Sequence, residues 1–254
     1  MKAKIDFNCD MGESFGAWKM GLDEEVIKHV TSSNVACGFH AGDPTWMQHT
    51  VSLAKAHGVA IGAHPSYPDL MGFGRRDMAA SPEEVKAYIK YQVGALQGFL
   101  GEAKLQHVKP HGALYNAAVK DDELARAICQ AVLEINPEII LVVLAGSRWV
   151  EIAREMGNRV ARETFADRAF SPDGTLVPRS KPGAVLHDPK EVVERSLNMV
   201  AHGKVRAING AEIPIEADTI CLHGDNPGAV KLASAIRSRF EAGGVEVVPM
   251  GTFC

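Results

Sequence analysis

The sequence predicts an α/β fold built on parallel strands, either a (β/α) barrel or a doubly wound sheet. Strand-like and helix-like segments alternate along all 254 residues, which implies parallel strands joined by helical crossovers. Five strand-like stretches end in Asp, His, Asn or Lys beside Gly or Pro, as the strand ends that carry the site in these folds do. These stretches are residues 5–10, 34–40, 60–64, 108–111 and 220–225. We therefore expect the functional site at the carboxyl ends of the strands.

Eight segments have the apolar character of buried strands. They lie near residues 5, 35, 61, 107, 140, 161, 220 and 246. A chain of this length can bury one large core, so we expect residues 1–254 to form a single barrel domain. Residues 205–215, with Asn209-Gly210 between two short apolar runs, predict an inserted β-hairpin with a type I′ turn. Residues 171–188 are rich in Pro and Gly and predict a long loop.

Residues at the starts of several segments predict where helices begin. Asp43-Pro44 combines a side-chain acceptor at the N-cap with proline at the first helical position, where no N–H is needed. Ser81-Pro82 repeats this pattern, and Glu84 completes a capping box. Helices are predicted over residues 22–30, 44–57, 82–100, 122–135, 148–156, 189–202 and 227–242.

Charge and cysteine content limit the class of protein. The formal net charge is -4 and no run of Lys or Arg occurs, so we expect neither a nucleic-acid partner nor binding to an anionic membrane. The longest apolar run, residues 139–146, is too short to cross a bilayer. Five cysteines without a C-x-x-C pair, and an N-terminus without a signal peptide, lead us to expect a cytoplasmic protein.

Four of the ten histidines stand at inferred strand ends: His40, His64, His111 and His223. One such histidine could equally be a hydrogen-bonded core residue, but four at the same edge favour a site. Imidazoles and carboxylates that converge there could act as general acid and base, or could hold a metal ion whose bound water is the nucleophile. The sequence leaves the presence of a metal open.

Three further residues at strand ends carry charge that chemistry can use. Asp10 could be a base, a metal ligand or the residue that orients a histidine, and the alternative is that it caps a turn. Lys109 could offer positive charge to an oxyanion or a phosphoryl group. Arg168 could hold a carboxylate through two hydrogen bonds, and a surface ion pair is an equal alternative.

Several well-known site types are missing from the sequence. It contains no G-x-x-x-x-G-K-[ST] phosphate loop, no G-x-S-x-G nucleophile elbow and no H-E-x-x-H zinc motif. Cys9, Cys37 and Cys221 are interpreted as small packing residues, because a nucleophilic thiolate needs an electropositive setting.

Several longer segments resemble the signature segments of the lactam-utilisation (LamB/YcsF) family, in the same order from residue 5 to about residue 250. They are residues 6–13, 34–43, 62–69, 108–115, 163–168, 176–179 and 221–225. The resemblance implies a distorted TIM-like (β/α) barrel with seven strands, similar to glycoside hydrolase and deacetylase barrels. One of the eight predicted strands, residues 245–248, would then be peripheral to the barrel.

The resemblance also implies a function. Members of the family are expected to act as the A subunit of a prokaryotic 5-oxoprolinase, which opens 5-oxo-L-proline to L-glutamate with ATP hydrolysis, together with partner subunits B and C. Because no phosphate loop is found, ATP could be bound by the partners. The residues that we expect to be catalytic are Asp10, His40, His64, Lys109 and His111.

In this scheme Asp10 with His40 or His64 activates water, and Lys109 and His111 stabilise charge on the lactam oxygen. The residues that we expect to bind substrate are Asn8, Glu13, Arg168, His223 and Asp225. Two alternatives remain: a metal-dependent deacetylase or amidohydrolase, and a non-catalytic regulatory subunit.

Overall fold

Seven parallel strands close into a barrel surrounded by helices. The protein is described by a computed structural model that covers residues 3–222 and 228–254. The strands, including a separate hairpin and one peripheral strand, are β1 (Lys4–Met11), β2 (Ser32–Ala36), β3 (Ala60–His64), β4 (Leu105–Val108), β5 (Ile140–Leu144), β6 (Arg159–Phe165), β7 (Lys204–Arg206), β8 (Glu212–Pro214), β9 (Thr219–Leu222) and β10 (Glu246–Val247). β9 pairs with both β6 and β1, which closes the barrel in the order β1-β2-β3-β4-β5-β6-β9. The predicted seven-stranded barrel is confirmed.

β10 lies outside the barrel. Its two residues pair with Lys4 and Ile5 at the start of β1, in the parallel direction. The peripheral position expected for residues 245–248 is therefore confirmed.

Eight α-helices occur in the described part of the chain. They are α1 (Asp23–Val26), α2 (Pro44–Ala56), α3 (Pro82–Leu100), α4 (Gly112–Ala118), α5 (Asp122–Ile135), α6 (Arg148–Glu155), α7 (Pro189–His202) and α8 (Ala229–Ala242). The predicted helix over residues 22–30 is split, because α1 is followed by a 3-10 turn at Ile27–His29. The sequence did not predict α4, a seven-residue helix that begins directly after Pro110-His111, where Pro and Gly indicate a loop.

The helix starts predicted at Asp43 and Ser81 are confirmed by their hydrogen bonds. The Asp43 carboxylate accepts hydrogen bonds from the backbone N–H groups of Thr45 and Trp46, over 2.8 and 3.2 Å. Ser81 and Glu84 form both halves of the capping box. Each cap pairs N–H groups that the first helical turn leaves without an intrahelical acceptor.

The predicted hairpin is present, but its turn is not type I′. β7 and β8 pair antiparallel, with Val205 opposite Ile213. A type I′ turn needs positive φ at both central residues, whereas Asn209 is not among the residues with positive φ and Gly210 has a φ of 90°. Ala207 N–H bonds to the carbonyl of Ala211, and Gly210 N–H bonds to the carbonyl of Ala207. This is a three-residue loop in which glycine takes the left-handed position.

The alternation of residues along β1 explains how the barrel carries polar groups inside. Ile5, Phe7, Cys9 and Met11 belong to the main apolar core. Between them, Asp6, Asn8 and Asp10 are buried and make their contacts with polar side chains of neighbouring strands. Because successive side chains of a strand point to opposite faces, β1 separates the apolar layer under the helices from a polar barrel interior.

Residues 171–188 form the predicted long connection between β6 and α7, and the structure assigns no helix or strand there. The isolated bridge of Arg168 with Val185 ties its second half to the end of β6. Within the described ranges, no helix is both long and apolar enough to cross a membrane.

Candidate active site

A cavity of about 520 Å³ opens at the carboxyl ends of the strands. Its lining includes Asp10 near the end of β1, His64 at the end of β3, and Lys109 and His111 just after β4. Arg168, three residues after β6, also lines it. Three of the five strand ends singled out from the sequence, those of β1, β3 and β4, therefore meet in one cavity.

Lys109 is the centre of a buried polar network. Its Nζ lies 2.8 Å from Oδ1 of Asp10, 2.9 Å from Oε1 of Glu163 and 3.0 Å from Sγ of Cys221. Although burial alone lowers the pKa of Lys109, the negative charges of Asp10 and Glu163 raise this pKa well above its ordinary value. The ammonium group is therefore charged, and its three N–H bonds point at three protein groups.

Side chains of β2 and β4 hold Asp10 in position. Asn34 donates to Oδ1 of Asp10 over 2.8 Å and to Oδ1 of Asn8 over 2.7 Å. Nε2 of His107 lies 2.7 Å from the side-chain oxygen of Asn34. Because burial lowers the pKa of His107 to about 3, this imidazole is neutral at neutral pH and donates to Asn34.

His64 and His111 face each other at the floor of the cavity. Nε2 of His64 lies 2.9 Å from Nδ1 of His111 and 3.4 Å from Oδ2 of Asp10. The other ring nitrogens of these histidines contact backbone carbonyls: Nδ1 of His64 lies 2.6 Å from the oxygen of Lys109, and Nε2 of His111 lies 2.9 Å from that of Phe73. The two backbone carbonyls therefore fix the orientation of both rings.

Glu13 and His40 complete a group around these two histidines. Nε2 of His40 lies 3.2 Å from Oε1 of Glu13, and the His40 ring stacks on the His111 ring with 3.8 Å between centroids. Burial raises the pKa of Glu13 and lowers the pKa of both His40 and His111. One ligand atom from each of Glu13, His40, His64 and His111 lies within 4.8 Å of the others, so the four could hold a metal ion.

A strained turn supports the histidine group from one side. Phe73 has a φ of 55°, which is uncommon for a residue with a side chain, and its ring packs edge-on against His40 and His111. Gly74 follows with a φ of 64°. A Cβ at Gly74 would lie 2.7 Å from Cδ2 of His111 and 2.9 Å from Cβ of His40. Only glycine allows the turn to approach the two rings this closely.

Cationic side chains also line the cavity. Arg168 is 6% exposed, and it donates to the carbonyl oxygens of Val177 and Ala184. Burial and the nearby Arg179 lower the pKa of Arg168 to about 10. Arg75, Lys120 and Arg179 line the same cavity. A surface ion pair is therefore the wrong interpretation of Arg168, and the cationic lining of the cavity suits an anionic group.

Not every residue chosen from the sequence lines the cavity. Asn8 is fully buried below it and contacts Thr219, Asn34 and Glu163. His223 and Asp225 lie outside the described residues. The roles assigned to all ten residues stay predictions.

Two residues that were not predicted also belong to this region: Glu163 contacts Lys109 directly, and Arg75 lines the cavity. Glu163 could have been found, since it is an acidic residue near the end of a predicted strand. Cys9, Cys37 and Cys221 are all buried, and Cys221 also contacts Lys109.

Comparison with known proteins agrees with this architecture. A protein of Pyrococcus furiosus named as the A subunit of 5-oxoprolinase is 61% identical over 252 residues, covering 98% of this chain and 99% of its own. The structure of the lactam utilization protein from Thermus thermophilus superposes with a TM-score of 0.91 at 52% identity, over 96% of this chain and 99% of that one.

More distantly, the Bc1960 peptidoglycan N-acetylglucosamine deacetylase shares the fold, with a TM-score of 0.50 at 13% identity, over 97% of this chain and 86% of that one. The profile of the LamB/YcsF family matches residues 5–254. The chain belongs to the LamB/YcsF family.

Proposed function

We propose that this chain is the A subunit of an ATP-dependent 5-oxoprolinase and that it works with partner subunits B and C. The observation that carries the proposal is the 61% identity, over nearly the whole length of both chains, to a protein named as the A subunit of 5-oxoprolinase. The cavity supports it, because acidic, imidazole and guanidinium groups all line it. The proposed substrate, 5-oxoproline, carries both an amide to be opened and a carboxylate to be held.

In the proposed mechanism the lactam is phosphorylated on its amide oxygen, and water then attacks the activated ring carbon. Opening the ring without activation is unfavourable because the amide is resonance-stabilised and the product closes again. Since the sequence has no phosphate loop, we assign the phosphorylation to the partner subunits. This chain then supplies the site of water attack, where the C–N bond of the ring breaks as the nitrogen takes up a proton. The γ-glutamyl phosphate that results is hydrolysed by a second water to glutamate and phosphate.

Asp10 and His64 are the groups that we assign to water activation. Their facing atoms, Oδ2 and Nε2, are 3.4 Å apart and reach the same cavity. Lys109 directs its N–H bonds at Asp10, Glu163 and Cys221, so we assign it to the positioning of Asp10. We also assign its positive charge to the stabilisation of the oxyanion that develops on the lactam.

Arg168 is the group that we assign to the substrate carboxylate. It lines the cavity, and its guanidinium is anchored by two backbone carbonyls. An anchored guanidinium holds a carboxylate in one orientation, which places the ring carbon relative to the attacking water.

Glutamate release from 5-oxoproline and ATP tests the proposal. This chain alone, subunits B and C alone, and the mixture of all three are compared, and glutamate is expected only from the full mixture. Release from B and C alone at the full rate would refute the proposal. Asp10→Asn and His64→Ala are expected to abolish release, whereas a purely regulatory subunit would keep it; His49→Ala, at an exposed histidine, is the control.

A second candidate is a metal-dependent amidohydrolase of the deacetylase type. The histidine and glutamate group favours it, because such a group could hold the metal that this chemistry needs. Release of acetate from an N-acetylated sugar by this chain alone, without ATP, would support it.

A further inference from the structure

We propose that Glu13, His40, His64 and His111 bind a divalent transition-metal ion of the zinc class. The meaning of this ion for catalysis rests on the proposed function, whereas its binding can be measured without partners or substrate. Four observations carry the proposal: the tautomers of two histidines, the spacing of the ligand atoms, an unpartnered ring nitrogen and the balance of buried charge.

The first observation is the tautomer that the backbone imposes on His64. A carbonyl oxygen can only accept a hydrogen bond, so Nδ1 of His64, 2.6 Å from the oxygen of Lys109, must carry the hydrogen. In the neutral ring Nε2 then presents a lone pair. This is the arrangement that metal-binding histidines adopt, with the second nitrogen donating to a carbonyl or a carboxylate.

A backbone carbonyl also determines the tautomer of His111, but here the hydrogen is on Nε2 instead of Nδ1. Nε2 donates to the carbonyl of Phe73 over 2.9 Å, which leaves the lone pair on Nδ1. The two lone pairs thus face each other, and Nδ1 of His111 lies 2.9 Å from Nε2 of His64. Two acceptors at this distance repel each other unless a cation or a proton lies between or beside them.

The spacing of the ligand atoms fits a single ion. Zinc lies about 2.0–2.1 Å from nitrogen and oxygen ligands, so neighbouring ligands in a tetrahedral site are about 3.3–3.4 Å apart. The separations here are 2.9 Å between His64 and His111, 3.2 Å between His40 and Glu13, and 3.6 Å between His111 and Glu13. Since all four ligand atoms lie within 4.8 Å of one another, side-chain movements that shorten the longer separations by up to about 1.4 Å bring them onto one ion.

His40 adds an unsatisfied group to the same cluster. The residue is 1% exposed, and its Nδ1 has no hydrogen-bond partner among the described residues. A buried polar atom without a partner is uncommon and calls for an explanation such as a bound ion. If Nδ1 carries the hydrogen, Nε2 presents a lone pair toward the group.

Buried charge also favours a cation. Asp10, Glu13 and Glu163 bring three carboxylates, and the ammonium of Lys109 bonds to two of them. Glu13 is the carboxylate left to face the histidines, with Arg75 as a nearby positive charge. A divalent cation between the imidazoles would offset the remaining negative charge where the dielectric constant is low.

The donor set selects the class of metal. Three imidazoles and one carboxylate suit zinc or cobalt(II), whereas magnesium and calcium prefer oxygen ligands. When bound, such an ion would polarise the lactam oxygen or lower the pKa of a water molecule. Because His64 is then a ligand, Asp10 beside it would accept the proton of that water alone, in place of the Asp10–His64 pair.

Metal binding by the isolated chain tests the proposal. The protein is stripped with a chelator, dialysed, and titrated with zinc chloride or magnesium chloride in a calorimeter; cobalt(II) is followed by its visible absorption. We expect one zinc ion per chain, a cobalt spectrum of low symmetry, and no comparable magnesium binding. His111→Ala and Glu13→Gln should each weaken zinc binding by about 100-fold, because each removes a ligand.

His49→Ala is the matched control, since His49 is a half-exposed histidine outside the group. It should bind zinc as the parent does. Circular dichroism shows whether each variant is folded. If a variant is not folded, the conservative variant His40→Gln is tested in its place. No zinc uptake, uptake that survives both His111→Ala and Glu13→Gln, or an equal loss in His49→Ala would overturn the proposal. Inactivity of the mixture of three subunits would instead count against the proposed function alone.

Discussion

Nζ of Lys109 lies 2.8 Å from Oδ1 of Asp10, and the two side chains are 3% and 7% exposed. The pair joins the end of β1 to the residue just after β4 across the barrel interior, since β2 and β3 stand between these two strands. With so little water around it, the ammonium group holds the carboxylate in one position, which a base or a metal neighbour requires.

Removing the charge of Lys109 should destabilise the protein strongly. Lys109→Met leaves Asp10 and Glu163 buried without their shared counter-charge, so the free energy of unfolding should fall by about 3–5 kcal/mol in urea titrations. The double variant Lys109→Met/Glu163→Gln should recover part of this loss, because one of the unpaired charges is gone. Arg148→Met breaks an exposed ion pair with Asp122 and should change stability little. Equal effects of Lys109→Met and Arg148→Met would contradict this view of the network.

Gly62 in β3 is required by its neighbour on β4. A Cβ at this position would lie 2.1 Å from Nε2 of His107, the atom that donates to Asn34. Gly62→Ala should therefore displace the His107 ring and lower stability by about 1–3 kcal/mol, measured by thermal and urea unfolding.

The loss of stability in Gly62→Ala should depend on the presence of the His107 ring. His107→Ala in the same chain should remove most of the additional cost of Gly62→Ala, and purely additive losses would show that the clash is not its cause. Gly98→Ala, in the exposed part of α3 with nothing within 4 Å of the added carbon, should instead raise stability slightly.

Asp6 should make stability fall as the pH rises. Burial raises the pKa of Asp6 from 3.8 to about 6, against hydrogen bonds from Ser32, Thr219 and Thr31 that lower it. Between pH 4 and 6 the folded protein therefore binds the proton that the unfolded chain has lost, which disfavours the folded state as the pH increases. The shift corresponds to about 3 kcal/mol.

Asp6→Asn removes this titration. The stability of Asp6→Asn relative to the parent should rise between pH 4 and 6, by up to about 3 kcal/mol, in urea titrations at a series of pH values. The exposed Glu102→Gln should show no such trend. A difference between Asp6→Asn and the parent that stays constant with pH would refute the assigned titration.

Arg168 should determine affinity for the carboxylate of the substrate. In the assembled enzyme Arg168→Lys should raise the KM for 5-oxoproline about 10-fold or more, because charge-assisted hydrogen bonds contribute about 1.5–3 kcal/mol. Turnover of 2-pyrrolidinone, which lacks the carboxylate, should change much less. An equal effect on both compounds would mean that Arg168 acts through the backbone carbonyls of Val177 and Ala184 instead. The exposed Arg154→Lys is the control.

The sequence by itself determined the features that depend on near neighbours along the chain. The helix starts at Asp43 and Ser81 were predictable, since a cap and the N–H groups that it accepts are at most three residues apart. The alternation of elements indicated parallel strands, and the polar strand ends indicated the side of the fold that carries the site. The short helix α4 was not predicted, because Pro110 and Gly112 are as typical of a loop as of a helix start.

Only the tertiary structure decided which polar groups meet. Lys109 reaches Glu163 across 54 positions of sequence, and His64 faces His111 across 47. These contacts depend on the register of the strands and the closure of β9 on β1, which no local pattern determines. The tautomers of the two histidines likewise follow from carbonyls that the fold brings to them. The sequence therefore determined the residue types available to the site, and the closed barrel determined their partners.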